Sequence, residues 1–486
     1  MKTNPKTART HLRIPAAVIA TIAILGLHGC RIPEYTTSVP SIEVPTSFGT
    51  QQAAEESGER APWKAFLSDP DLIALVEEAL SHNQEYNILL QEVAVEQAEV
   101  LEKQGEFLPF VKLEWGSGVE KTPRYTRMGA LEHELELEPG VPFSEPLLDF
   151  SAAFASEWEV DIWKKMRNAR KAANERYLAT AEGRQFMATQ LVAEIAEAYY
   201  ELLAWDELLS IVDQNIVLQS DALQVVSLQK QAGKVTQLAV NRFEAQMLNS
   251  QTLRFELIQH IAVGENRLNA LVGRMPQPVS RSSAGILNLT VVSPATGVPT
   301  ALIEQRPDIR AAIHRMEAAH LDVAVAKASF YPSLGIQARI GLQSVDPHLW
   351  LTPESMLRSL AGDMMAPLIN RRALTARLQA SAAVQKAAVL QYEQTVLNAY
   401  TEVVNQLSRM NYSTQRLETK RQEVDLLMES VTISADLFNS ARADYAEVLL
   451  TQREALDAKM ELVEIKLNQI VSQLGLYKAL GGGMQM

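Results

Sequence analysis

Few side chains in this sequence are spaced for catalysis. The eight histidines show no ligand pattern. His314 and His320 lie six residues apart, which does not place both on one helix face. No HExxH, phosphate loop or nucleophile motif is present. Met364 and Met365 sit in a run that reads as a weak strand and lend no support to a metal relay. Neither an enzymatic activity nor a cofactor or metal is expected. The net charge of −13 argues against nucleic acid as a partner.

The one cysteine is placed for a different chemistry. Lys2, Lys6, Arg9 and Arg13 precede a mostly apolar run from Ile14 to Leu27, which is too short to span a bilayer and reads as a secretory signal. Its end, Leu27-His28-Gly29-Cys30, is similar to a bacterial lipobox. Cleavage there would leave the Cys30 thiol for diacylglycerol attachment; an ordinary signal with an incidental cysteine is the alternative. Arg31 follows, where an aspartate would resemble an inner-membrane retention signal, so outer-membrane delivery is expected. No later segment is apolar for long enough to make a transmembrane helix. A membrane crossing would therefore be made of β-structure.

Two long rods dominate the rest. Lys164 to Gln231 contains no proline, and Gly183 is its only glycine. Within it Leu191, Ile195, Ala198, Leu202, Trp205, Leu209, Val212 and Ile216 recur at alternating gaps of 4 and 3, a coiled-coil seam. Arg371 to Ser440 has neither glycine nor proline. Each rod would run about 100 Å if helical throughout, so the chain is built to span a distance. The last helix carries its own seam: Leu456, Met460, Val463, Leu467, Ile470, Leu474 and Tyr477.

Between the helices the period changes to two. Val111, Leu113 and Trp115 alternate with Lys112, Glu114 and Gly116. An acidic loop from Thr122 to Leu148 follows. The next run puts Phe150, Ala152, Phe154, Ser156, Trp158 and Val160 on one face. Ser151, Ala153, Ala155, Glu157, Glu159 and Asp161 take the other. That suits a barrel with lipid outside and water inside, or a hairpin half-buried on a soluble core. The pattern then repeats: helix from Asp308, strand Leu334 to Leu342, weaker strand near Leu357–Leu368, rod, returning helix. Phe107-Leu108-Pro109 matches Phe330-Tyr331-Pro332, and the break at Ala232-Gly233-Lys234 matches the one at Ala441-Arg442-Ala443-Asp444.

The chain thus reads as a tandem duplication. Its expected segments are a signal peptide (1–29), an extended arm (30–67), a first repeat (68–273), a linker (274–300), a second repeat (301–480) and a tail (481–486). The fold class is α+β: duplicated helical coiled-coil hairpins with four strands per chain. Four strands cannot close a barrel, so several copies must pool theirs if the strands enter a membrane.

Glu304-Gln305-Arg306-Pro307-Asp308-Ile309-Arg310-Ala311-Ala312 resembles the segment that opens the second half in the TolC-like outer membrane factor family, particularly its NodT-type efflux lipoproteins. Asp69-Pro70 with Leu72, Trp158-Glu159-Val160-Asp161, Ala232-Gly233, Tyr445-Ala446-Glu447-Val448-Leu449 and the closing Ala479-Leu480-Gly481-Gly482 are similar as well. The resemblance covers essentially the whole mature chain. It implies a homotrimer whose twelve strands form one barrel in the outer membrane lipid, with a helical tunnel in the periplasm. It also implies a periplasmic adaptor and an inner-membrane pump as partners, the channel being their exit duct. The hairpin tips Gly233, Lys234, Ala441 and Arg442 are expected to contact the adaptor. Asp444 and Glu447 are the expected gate acids; a solvated helix face is the other reading of either. The place of Glu447 in the first half is taken by Ala239, and Ala441 stands where the family has glycine. A type I protein secretion channel and a non-conducting envelope lipoprotein are the competing functions.

Overall fold

The computed structural model describes residues 35, 37–45, 47–48, 62–290, 299, 305–440 and 442–482. Cys30, the signal segment and Ala441 lie outside these. The elements, in chain order, are helices α1 (Trp63–Phe66), α2 (Pro70–His82) and α3 (Gln84–Glu106), strand β1 (Phe110–Glu120), helix α4 (Arg127–Glu134), strands β2 (Glu136–Glu138), β3 (Val141–Pro142) and β4 (Leu147–Val160), and helices α5 (Lys165–Gln231) and α6 (Gln237–Val272). The second half follows with helix α7 (Pro307–Ala328), strands β5 (Ser333–Ser344) and β6 (Met356–Met365), and helices α8 (Arg372–Asn439) and α9 (Tyr445–Ala479). Both expected rods are therefore continuous helices. The chain divides into two compact units, and the divisions fall inside α3, α5, α7 and α8.

The first unit comprises residues up to Val39, Glu96–Tyr177 and Arg315–Val389. Its sheet is antiparallel in the order β1-β4-β5-β6, so strands from both halves of the duplication share one sheet. The register lines up Leu113, Phe154, Ile340 and Arg358 across the four strands, and Trp115, Ala152, Leu342 and Met356 in another row. Side chains alternate along a strand, so these rows share a face. That face is bare and apolar apart from the exposed Arg358: Leu113 is 63% exposed, Trp115 72% and Leu360 79%. The opposite face is polar, and its charges pair within β1 and across strands. Lys112 Nζ is 3.1 Å from Glu114 and 3.7 Å from Glu157, and Arg339 is 3.2 Å from Glu114. Gly341 lets β5 approach β4, because a Cβ there would stand 2.2 Å from the Ala152 carbonyl oxygen.

Three local features depart from the sequence reading. The expected helix from Asp69 to Gln104 is two helices, broken at Asn83. Its carboxamide accepts from the Tyr86 N–H at 2.8 Å and donates to the Leu271 carbonyl at 2.8 Å, so one side chain caps the new helix and fixes the break. The acidic loop contains α4 and the small β2–β3 hairpin. β6 stops at Met365, short of Leu368, because Pro367 has no N–H to donate to a ladder.

The second unit comprises Pro40–Val95, Leu178–His314 and Leu390–Met486. Its core joins the two seams. Leu191, Ile195, Ala198, Leu202 and Val212 of α5 are buried in one cluster with Leu456, Val463, Ile470, Leu474 and Tyr477 of α9. Phe66 of α1 stacks on Tyr477 at 4.4 Å between ring centres. Tyr199, which its place on the flank of the seam marks as a packing residue rather than a substrate contact, is fully buried in this core. Its hydroxyl donates to Asp69 at 2.8 Å and accepts from the Ser282 N–H at 3.0 Å. Burial raises the pKa of Tyr199, and it pushes the neighbouring Tyr200 up to about 12.

The segment that opens the second half is held just as firmly. Arg306 is 4% exposed. It forms a two-pronged pair with Asp308 at 2.9 and 2.8 Å, reaches Glu402 of α8 at 3.0 Å and donates to the Ala479 carbonyl at the end of α9 at 2.6 Å. Arg310 pairs with Glu182 of α5 at 2.6 Å. The linker is pinned through Arg281, which bridges Asp206 and Glu265; both carboxylates raise its pKa.

Candidate functional site

Two places stand apart from the helical core: the sheet, described above, and the hairpin tips. The first tip forms because α5 runs into Gly233, whose φ of 72° is open to glycine at no steric cost. The Gly233 N–H donates to the Lys230 carbonyl at 2.8 Å and the Lys234 N–H to the Gln229 carbonyl at 2.9 Å. These are the two bonds that close a left-handed helix end. The second tip, without the glycine, makes the matching long bond: the Arg442 N–H donates to the Leu437 carbonyl at 2.9 Å.

The tips pack on each other inside the second unit. Val226, Ala239 and Phe243 of the first hairpin form a buried cluster with Phe438, Tyr445 and Leu449 of the second packed against it. That fixes the surroundings of the candidate acids. Ala239 and Glu447 hold equivalent places in the two halves, yet Ala239 is fully buried in the tip cluster and Glu447 is exposed in the first turn of α9. Asp444 is the residue before α9, and its carboxylate makes no capping bond there. It is exposed, as are Gly233, Lys234 and Arg442. The tips therefore present two cations and two carboxylates to solvent over an apolar plug. Cys30 and Ala441, the other two candidate residues, lie outside the described residues.

Among the described residues, no group of three or more His, Cys, Asp or Glu side chains is arranged to hold a metal. No helix among them is long and apolar enough to cross a membrane. Nothing in residue type or spacing marks Arg306, Arg281 or Tyr199 as anchors; Arg306 is singled out only as part of the segment that resembles the family's.

Comparison with known proteins agrees with this architecture. The family model described as outer membrane efflux protein matches residues 75–274 and 298–482, the two halves of the duplication. The solvent efflux pump outer membrane protein SrpC of Pseudomonas putida is 25% identical over 472 residues, 95% of this chain and 97% of SrpC. The pyoverdine export outer membrane protein OpmQ of Pseudomonas putida is 28% identical over 470 residues, 95% of this chain and 96% of its own length. The solved structure of the Campylobacter jejuni CmeC outer membrane channel superposes with a TM-score of 0.81, covering 93% of this chain and 95% of that one at 16% identity. The chain belongs to the outer membrane efflux protein family and is a channel of the outer membrane, not an enzyme.

Proposed function

We propose that three copies of this chain close one twelve-stranded barrel and form the exit duct of a tripartite efflux system, with a periplasmic adaptor and an inner-membrane pump as its partners. One observation carries the reading: a four-stranded sheet, apolar on one face and charged on the other, with β1 and β6 at its open edges. A sheet edge cannot face hydrocarbon, because its N–H and C=O groups would go unpaired. Pairing β6 of one copy with β1 of the next removes every edge. The apolar face then meets lipid and the face of Lys112, Glu114 and Arg339 lines a wet lumen. Twelve strands exceed the roughly eight at which side chains fill the interior.

Cys30 is the lipid attachment point. Tyr35, five residues on, packs against Val323, Phe330 and Leu378 of the first unit and hydrogen-bonds Gln385. Lys234, Gly233, Arg442 and Ala441 form the adaptor contact, and Asp444 and Glu447 the gate. SrpC and OpmQ, whose names give a solvent and pyoverdine as cargo, match this chain to a similar degree. The duct records little of its cargo.

The test is photo-crosslinking from position 234 in living cells, followed by identification of the trapped partner. An adaptor encoded beside a drug, metal or solvent pump is expected. A secretion adaptor would move the assignment to protein export. No periplasmic partner, in cells whose trimer is assembled, would overturn the duct reading.

A further inference from the structure

We infer that the bases of β4 and β6 form a binding surface for anionic phospholipid headgroups, on the leaflet where these strands end. The inference rests on the barrel reading and adds a ligand to it. The chain as a whole is acidic, at −13, but the residues leaving these two strands are not. Residues 162–174 hold Lys164, Lys165, Arg167, Arg170 and Lys171 and no acid; residues 366–392 hold Arg371, Arg372, Arg377 and Lys386 and no acid.

The structure shows which of these charges are spent. Lys165 pairs with Glu159 at 2.7 Å and Arg167 with Asp161 at 3.0 Å. Lys164, Arg170, Lys171, Arg372 and Arg377 are exposed, and no carboxylate among the described residues pairs with them. Positive charge of this density repels itself and draws anions to the surface beside it.

Apolar surface lies directly beside the cations. Trp163 stacks on Tyr331 at 4.6 Å between ring centres, and its indole N–H donates to the Pro332 carbonyl at 2.8 Å. Both rings stay more than two-fifths exposed, and Ile162, Leu368 and Ile369 are more exposed still. Trp163, Tyr331, Pro367 and Leu374 line a recess of about 340 Å³, whose two acids, Glu159 and Asp161, are those already paired with Lys165 and Arg167. Indole and phenol rings favour the boundary between hydrocarbon and headgroup. Val160, at the end of the apolar face of β4, also lines the recess and joins it to the face where acyl chains would lie. A lipid with a net negative headgroup meets both halves of this surface: its chains the rings, its phosphodiester the cations.

The test compares phosphatidylglycerol with phosphatidylethanolamine on the full mature protein, purified as the assembled oligomer and read by native mass spectrometry. Wild type is expected to retain phosphatidylglycerol at least about fivefold over phosphatidylethanolamine, since a single cation near an anionic surface contributes roughly a fivefold preference. Joint replacement Arg170→Gln, Lys171→Gln and Arg372→Gln should bring the ratio close to one. Arg409→Gln, Arg416→Gln and Arg453→Gln together, on exposed helix positions elsewhere, should leave it unchanged. The single variants Lys171→Gln and Arg372→Gln, each costing a fraction of the preference, answer the same question if the triple fails to assemble. Equal retention of both lipids by wild type, or undiminished preference in the variants, overturns the lipid site. Conductance in vesicles of either lipid separates the two readings: a protein that inserts in neither overturns the barrel, and the lipid site with it.

Discussion

Arg306 shows how far a single residue can be understood from its neighbours. It sits at the start of α7, almost without solvent, and satisfies two carboxylates and the last turn of α9. Arg306→Met removes the cation and leaves Asp308 and Glu402 facing each other over a bare carbonyl. The expected loss is about 3–5 kcal/mol, the range for breaking a buried pair, read as a lower melting temperature and less assembled oligomer. Tyr199→Phe deletes the bridge between Asp69 and Ser282 while keeping the ring, and should cost about 1–3 kcal/mol. Lys466 runs the other way. It is 8% exposed, has Gln469 at 3.3 Å, and burial and Arg421 both lower its pKa. With the folded pKa below the unfolded one, the buried cation costs stability at neutral pH, and that cost fades as pH rises toward the unfolded value. Lys466→Met should therefore raise the melting temperature at pH 7, by of order 1 kcal/mol, and the gain should shrink on titration toward pH 10. A gain independent of pH would assign the effect to packing. The motif around Arg306 is visible in the sequence and contains Asp308, but its contacts with Glu402 and the Ala479 carbonyl come from residues roughly a hundred or more positions away and could not be named in advance.

At the scale of elements, what the sequence revealed followed the strength of its periodicity. The seams of α5 and α9 and the alternation of β1, β4 and β5 are each long enough to fix both type and face. β6 was blurred because Leu357 and Met365 put apolar residues on the polar face, so its period of two is weak. The break at Asn83 was hidden because an asparagine in a helical pattern signals a cap only when its partners are known. One glycine that looks like a defect is a packing requirement. Gly264 lies inside α6, and a Cβ there would stand 2.3 Å from the Trp205 ring of α5 and 3.0 Å from Leu202. Gly264→Ala gains about 1 kcal/mol of helix propensity but forces Trp205 out of place, at about 1–3 kcal/mol. The expected net result is destabilisation, measured as a lower melting temperature. Restoration by a smaller residue at 205 would trace the loss to that contact.

At the scale of the molecule, the duplication is the organising fact, and the tips are where its halves differ. Ala239 is buried against Phe243, while Glu447, its counterpart, projects from the first turn of α9. In the proposed gate, the asymmetry would give each chain one side made of packing and one made of charge. In a closed trimer, three copies of Glu447 and three of Asp444 would ring one opening. Like charges within a few ångströms repel, so such a ring holds closed only while cations sit among the carboxylates, and it favours cations over anions in the lumen. Glu447→Gln removes three charges and leaves every backbone bond of the tip intact, including that from the Glu447 N–H to the Asp444 carbonyl at 3.1 Å. If the carboxylates, bridged by cations, hold the constriction, the variant should pass large antibiotics more readily. Single-channel conductance should rise several-fold, and cation selectivity should fall. If the apolar plug of Phe243, Phe438 and Tyr445 holds it instead, Glu447→Gln should change selectivity alone, and Tyr445→Ala should be the variant that leaks. Measuring conductance and selectivity on both variants, at equal oligomer levels, decides between charge and packing as the lock. Unchanged values in both would place the constriction away from the tips.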